Sequence, residues 1–165
     1  MVHNYEYYNE ILFLVSSFPI DALGIKQFSM SDTISGKALN EMQNLIDAKI
    51  ALSNIPKIIN ENIPNISGTE LADDINLLLS QLQTRLSVHL TSEQLVGITL
   101  HISFLIGRLR NNEKTVLYPN KENYIKENFS LYNTIKESIV GIKNKYGIEF
   151  SDNDICYLIE HFSSK

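Results

Sequence analysis

Thr91-Ser92-Glu93-Gln94-Leu95-Val96-Gly97-Ile98-Thr99-Leu100-His101-Ile102-Ser103-Phe104-Leu105-Ile106-Gly107-Arg108-Leu109 carries the period that decides the fold class. Thr91 with Gln94 three residues on has the form of a capping box, in which each side chain satisfies a backbone N–H of the other at a helix start. Leu95, Ile98, Ile102, Leu105 and Leu109 then recur at helical spacing and make one apolar face. Asn111-Asn112 ends the run. A helix turns by about 100° per residue, so Gln94, Gly97, His101, Phe104 and Arg108 share a second stripe beside the apolar one.

The same period extends in both directions. Upstream, Ser67 and Glu70 suggest another capping box, followed by Leu71, Ile75, Leu78, Leu79, Leu82 and Leu86. Before it, Leu39, Met42, Leu45, Ile46 and Ile50 form a stripe predicted to kink or stop at Pro56, because proline removes a helical donor. Downstream, a loop runs through Pro119 to Asn120. Ile125, Phe129, Tyr132, Ile135, Ile139, Ile142 and Tyr146 resume the helical period, with a break expected near Ser130 and Gly147 suited to a left-handed helix end. A last helix is predicted from about Ser151, with Asp152 and Asp154 at its positive end and Ile155, Leu158, Ile159 and Phe162 on its apolar face.

The expected architecture is all-α: a five-helix bundle over 67–165, a leading helix and loop over 37–66, and an N-terminal extension of mixed strand and loop over 1–36. Within the extension, Ile11-Leu12-Phe13-Leu14-Val15 reads as a buried strand or packed segment, and Gly24 to Gly36 as turn-rich and extended.

Composition narrows the function. A chain of 165 residues with 44% apolar and 20% charged residues is ordinary globular material. The net charge of −5, with no positive residue between Lys57 and Arg85, argues against direct nucleic-acid contact. Cys156 is the only cysteine, so no internal disulfide or cysteine-based zinc site is expected, and the reducing cytoplasm is the natural compartment. No apolar run is long enough for a membrane span. Phosphate-loop, nucleophile-elbow and paired-histidine metal motifs are missing, and neither an enzyme activity nor a cofactor nor a metal is expected.

Four histidines remain, at 3, 89, 101 and 161. His3 and His89 match no motif and are expected at a terminus and at a solvated helix end. His101 is mid-helix, one turn after a glycine and two turns before Arg108. A neutral imidazole has a nitrogen lone pair that can attack phosphorus, and the product carries about two negative charges, which an arginine can meet. The bland reading of the same residue is a helix-flank histidine bonded to a backbone carbonyl.

The stretch from Leu100 to Leu109 resembles the first histidine motif of the PTS regulation domain (PRD), a histidine on an apolar helix with an arginine seven residues on. Tyr146-Gly147-Ile148-Glu149-Phe150-Ser151-Asp152-Asn153-Asp154-Ile155-Cys156-Tyr157-Leu158-Ile159-Glu160-His161-Phe162 resembles the second, and Phe129-Ser130-Leu131-Tyr132 the junction between them. The resemblance covers about residues 67 to 163. It implies a five-helix bundle, usually dimeric, whose histidines accept phosphoryl groups from the histidine phosphocarrier protein or a sugar-specific IIB component of the sugar phosphotransferase system. His101 and His161 are the implied acceptors, with Arg108 a phosphate contact. Two positions depart from the common pattern: Leu100 stands where many members have Asp, and Glu160 where many have a small or apolar residue. A carboxylate at 160 is expected to raise the pKa of His161 and to repel a phosphoryl donor, which ranks it behind His101.

Residues 1 to 66 hold four lysines against seven acids, unlike a basic RNA-binding domain. The segment Gly24 to Gly36 resembles the connector that follows PTS-like domains in activators of the sigma-54 polymerase, and implies a C-terminal PRD of a larger transcriptional regulator. Two rival readings stay open: a non-phosphorylated helical dimerisation or interaction module, and a small helical enzyme using His101 as a general base.

Overall fold

In a computed structural model of the chain, residues 13–16, 26–29 and 36–163 are described. Residues 1–12 (His3 among them), 17–25 and 30–35 of the expected extension, and the last two residues lie outside them. The chain divides into two compact units, up to Ala51 and from Leu52 onward. In the first unit, β1 (Phe13–Ser16) pairs in parallel with β2 (Lys26–Ser29), Phe13 opposite Lys26 and Ser16 opposite Ser29. Helix α1 spans Gly36–Asn62, and its residues from Leu52 belong to the second unit.

The second unit continues with α2 (Gly68–Leu86), α3 (Ser92–Arg110), α4 (Lys121–Glu127), α5 (Phe129–Ser138), α6 (Val140–Tyr146) and α7 (Asp152–Phe162). Six helices therefore stand between residues 68 and 162 where five were expected. The difference lies in the third apolar stripe. It breaks at Asn128 rather than Ser130, and again at Ile139, which is both the C-cap of α5 and the N-cap of α6. A periodic apolar pattern runs across such short breaks undisturbed, because one or two residues outside helical geometry barely change which face each side chain takes.

Most of the core comes from the predicted stripes, but Ile55, Ile59 and Ile106 stood outside them, and Ile50 and Phe129, which were placed on them, are exposed. Ile55 and Ile59 of α1, Leu71, Ile75 and Leu79 of α2, Ile98, Ile102 and Ile106 of α3, Ile135 of α5, and Ile155 and Ile159 of α7 are sealed from solvent. Each such side chain contributes about 1.5–3 kcal/mol relative to exposure. Polar ties join the same helices at their edges. Arg85 of α2 pairs with Glu137 of α5. Lys145 of α6 bridges Glu70 and Asp74 of α2 at 2.8 and 2.6 Å. Tyr132 of α5 donates to Asp152 of α7, and this phenol is the main reason the Asp152 carboxyl titrates below its ordinary range.

Two expectations about helix ends need correction. Ser67 does cap α2, its hydroxyl accepting the Glu70 N–H at 3.3 Å, but the Glu70 carboxylate reaches Lys145 instead of completing a box. And α1 runs through Pro56 rather than ending there. The missing donor costs about 3 kcal/mol in a helix interior. Ile55 beside the proline and Ile59 beyond it are 1% and 0% exposed, a burial that offsets the loss.

Pro56 also sets how closely α1 and α2 approach. A Cβ added at Gly68 would collide with the Pro56 carbonyl, and the Gly68 N–H donates to Asn60 Oδ1 at 2.7 Å. Only glycine fits this crossing. Gly68→Ala is expected to destabilise the protein by about 1–3 kcal/mol, the cost of overpacking a tight site. Gly97→Ala, where a Cβ meets nothing within 4 Å, should be neutral or stabilising by up to ~1 kcal/mol. Urea melts of the two variants against the parent chain check the contrast.

Candidate functional site: a histidine pair between two helices

The apolar face of α3 is held by Ile98, Ile102, Leu105 and Ile106 against the core. Its second stripe consequently lies at the helix flank: Gly97 and Phe104 are exposed, and His101 and Arg108 are half-buried. Helix α7 is fixed by its own apolar side and by a complete capping box in which the Ser151 hydroxyl and the Asp154 carboxylate exchange bonds with each other's N–H. Its last turn carries His161, also half-buried.

The packing of α3 and α7 brings the two imidazoles together. Their ring centroids lie 4.9 Å apart with planes at 64°, an edge-to-face contact. Beside His101 opens a pocket of about 250 Å³ lined by His101, Leu105, Arg108, Val116, Asp154 and Tyr157. Arg108, two turns from His101, thus faces the same space. Its guanidinium makes no ion pair or side-chain hydrogen bond among the described residues. Neither ring nitrogen of His101 has a hydrogen-bond partner among them either, so the bland reading of a backbone-bonded histidine does not hold.

The outer wall comes from the loop between α3 and α4, which is strapped to α7. Thr115 Oγ1 donates to Asp154 Oδ2 at 3.4 Å, and the Tyr118 N–H donates to Asn153 Oδ1 at 3.0 Å. The Tyr118 hydroxyl donates to Glu160 at 2.7 Å, and the Tyr157 hydroxyl to the Leu117 carbonyl at 3.2 Å. Tyr118 further packs its ring on Tyr124 and Tyr157, with centroids 4.8 and 4.9 Å away. Burial and the Glu160 carboxylate together push the Tyr118 phenol far above its ordinary pKa. Asp154, 2% exposed, serves twice: it caps α7 and closes the pocket.

Both imidazoles titrate below the ordinary histidine value. For His101, desolvation is the main cause, reinforced by the positive charge of His161 and Arg108 and opposed by Asp154 and Glu160. For His161, desolvation also dominates and Glu160 opposes it. The expectation that Glu160 would raise the His161 pKa is therefore corrected: its effect has the anticipated sign but is outweighed by burial. The carboxylate is itself exposed and bonded to Tyr118, which spreads its charge into solvent and a phenol. The result is a pair of neutral rings near pH 7, each form retaining one nitrogen lone pair.

Three walls of this site were not evident from sequence. Asp154 reads as a helix-start acid, Tyr157 as a position on α7, and Val116 as loop. Nothing in the local pattern signals that the loop folds back on a helix some 40 residues later. His89 lies exposed after α2, away from the pair, and Cys156 is fully buried as a small core side chain. No described helix is long and apolar enough to cross a membrane.

A family model described as "PRD domain" matches residues 76–165, more than half of the chain and the whole of the site. No curated protein and no solved structure matches.

The depressed histidine pKa values fix a sign for pH dependence. The unfolded chain, with ordinary histidines titrating near about 6.5, binds protons that the folded chain refuses, so stability is lost as the pH falls below that value. Thermal melts between pH 7.5 and 5 should show this loss, and His101→Gln should make it shallower. An equally steep loss in the variant would show that the pair is not its source.

Proposed function

This chain belongs to the PRD domain family, and from that premise we propose that it accepts phosphoryl groups on the His101–His161 pair and so tunes a bacterial transcriptional regulator to sugar supply. Domains of this family are phosphorylation-regulated parts of transcription regulators. The observation that carries the proposal is geometric. Two imidazoles from helices far apart in sequence meet at 4.9 Å, beside a pocket that Arg108, without an ion pair among the described residues, also faces.

The donor in this reading is the histidine phosphocarrier protein or a sugar-specific IIB component. The neutral ring of His101 attacks the donor's phosphoryl phosphorus in line, a bond forms from ring nitrogen to phosphorus, and the donor's own phosphorus–nitrogen or phosphorus–sulfur bond breaks. The product carries about two negative charges. Arg108 is placed to take up part of that charge through charge-assisted hydrogen bonds. Asp154 and Glu160 are repelled, and both hold contacts that tie the α3–α4 loop to α7. The modification thereby acts on packing at the bundle edge, a local charge change with a mechanical readout. The rest of the reading is a cytoplasmic homodimer, without cofactor or direct contact to nucleic acid, forming the C-terminal PRD of a sigma-54-type activator.

Incubation of the chain with labelled phosphoenolpyruvate, the general phosphotransferase enzymes and each candidate donor is expected to give a base-stable, acid-labile label. The label should vanish in the His101→Ala/His161→Ala double variant. Arg108→Ala should slow labelling about tenfold or more, the scale of a lost charge-assisted bond. A chain that takes no label from any donor, or a label that persists in the double variant, leaves the non-phosphorylated interaction module as the better account.

A further inference from the structure

Two histidines offer two acceptors by number, but their spacing argues otherwise. With ring centroids at 4.9 Å, phosphoryl groups on both rings would lie about one side chain apart. That distance is shorter than the roughly 8 Å over which physiological salt screens charge. The rings are half-buried, where charges interact more strongly than in open water. The surroundings are already unfavourable to a second dianion. Among the described residues, Arg108 on α3 is a cation facing His101 beside His161 itself, while Asp154 and Glu160 on α7 are carboxylates facing the same ring. Tyr157, which lines the same pocket, has its hydroxyl already bonded to the Leu117 carbonyl.

We infer that His101 and His161 form a single acceptor site that holds one phosphoryl group at a time, with the unmodified imidazole taking up a proton and acting as counter-ion to the phosphorylated one. This rests on the acceptor reading above and adds to it a stoichiometry and a role for the second ring. Either ring can be modified, and the neighbour then changes from a neutral group to a cation and donor. Burial keeps both rings neutral beforehand, so the proton arrives from solvent only after the negative charge does. Modification of one ring thus fills the place that a second phosphoryl group would need.

A small donor tests this without any docking protein. Phosphoramidate transfers its phosphoryl group to imidazole: a ring nitrogen forms the bond to phosphorus, the phosphorus–nitrogen bond of the reagent breaks, and ammonia leaves, taking up the proton released from the ring. His3 and His89 are first removed as His3→Gln and His89→Gln, so that only the pair can react. Intact mass at neutral pH is expected to saturate at one phosphoryl group per folded chain, and at two when the same chain is treated in urea. Adding either His101→Gln or His161→Gln should leave saturation at one in the folded state. In the singly modified chain, the titration midpoint of the remaining ring, followed by NMR, should move upward.

Two groups on the folded chain would overturn the inference while leaving the acceptor reading intact. Modification that one single variant supports and the other abolishes would do the same, reducing the site to one histidine. An unmoved or lowered midpoint would remove the counter-ion role. No modification of the folded pair at all, with two groups in urea, would sink the acceptor reading itself.

Discussion

The site depends on the burial of one face of α3. Ile98, Ile102 and Ile106 are each at most 1% exposed, and together they lock the rotation of the helix about its axis. Once that rotation is fixed, the position of His101 follows from helix geometry: one residue from Ile102 means about 100° around the cylinder, at the flank rather than in the core or in open solvent. A rotation by one residue in either direction would bury the imidazole or strand it. The chemistry at this position is thus set by apolar side chains that never touch it.

Flank placement has an electrostatic corollary. A fully exposed histidine keeps its ordinary pKa, and a fully buried one is closed to partners. Half-burial lowers the pKa through desolvation yet leaves a face open. The same compromise holds for His161 at the end of α7, where desolvation outweighs the carboxylate next in sequence. Sequence adjacency of Glu160 to His161 overstated their coupling, because successive residues on a helix point about 100° apart and Glu160 turns to Tyr118.

What could be read from the chain alone was what depends on local period. The stripes of α2, α3 and α7, the capping box at Thr91, the helix start near Ser151, and the shared bearing of His101 and Arg108 are all properties of short windows. What could not be read depends on tertiary packing. The meeting of His101 with His161 is fixed by how two helices cross, and the strapping of residues 115–118 to α7 by side-chain bonds across 35 to 42 positions. Of the kink or stop that local propensity predicts at Pro56, the stop does not occur, because the buried isoleucine beside it and the one beyond it hold the helix together. The first break was expected near Ser130 and falls at Asn128, whereas the second, at Ile139, escaped because the apolar rhythm survives it.

The crossing at Gly68 bears on where this domain can be cut. The family match begins at residue 76, in the middle of α2, whereas the compact unit begins at Leu52. A fragment trimmed to the match would discard Leu71, Ala72 and Ile75 together with Ile55, Ile59 and Ile63, and would uncover the inner sides of their neighbours. Gly107 of α3, whose backbone faces Ile63 where an added Cβ would come within 3.2 Å, would lose its covering too. The inherited signature and the compact unit therefore have different left-hand edges, and a fragment cut at the first would leave the second without part of its core.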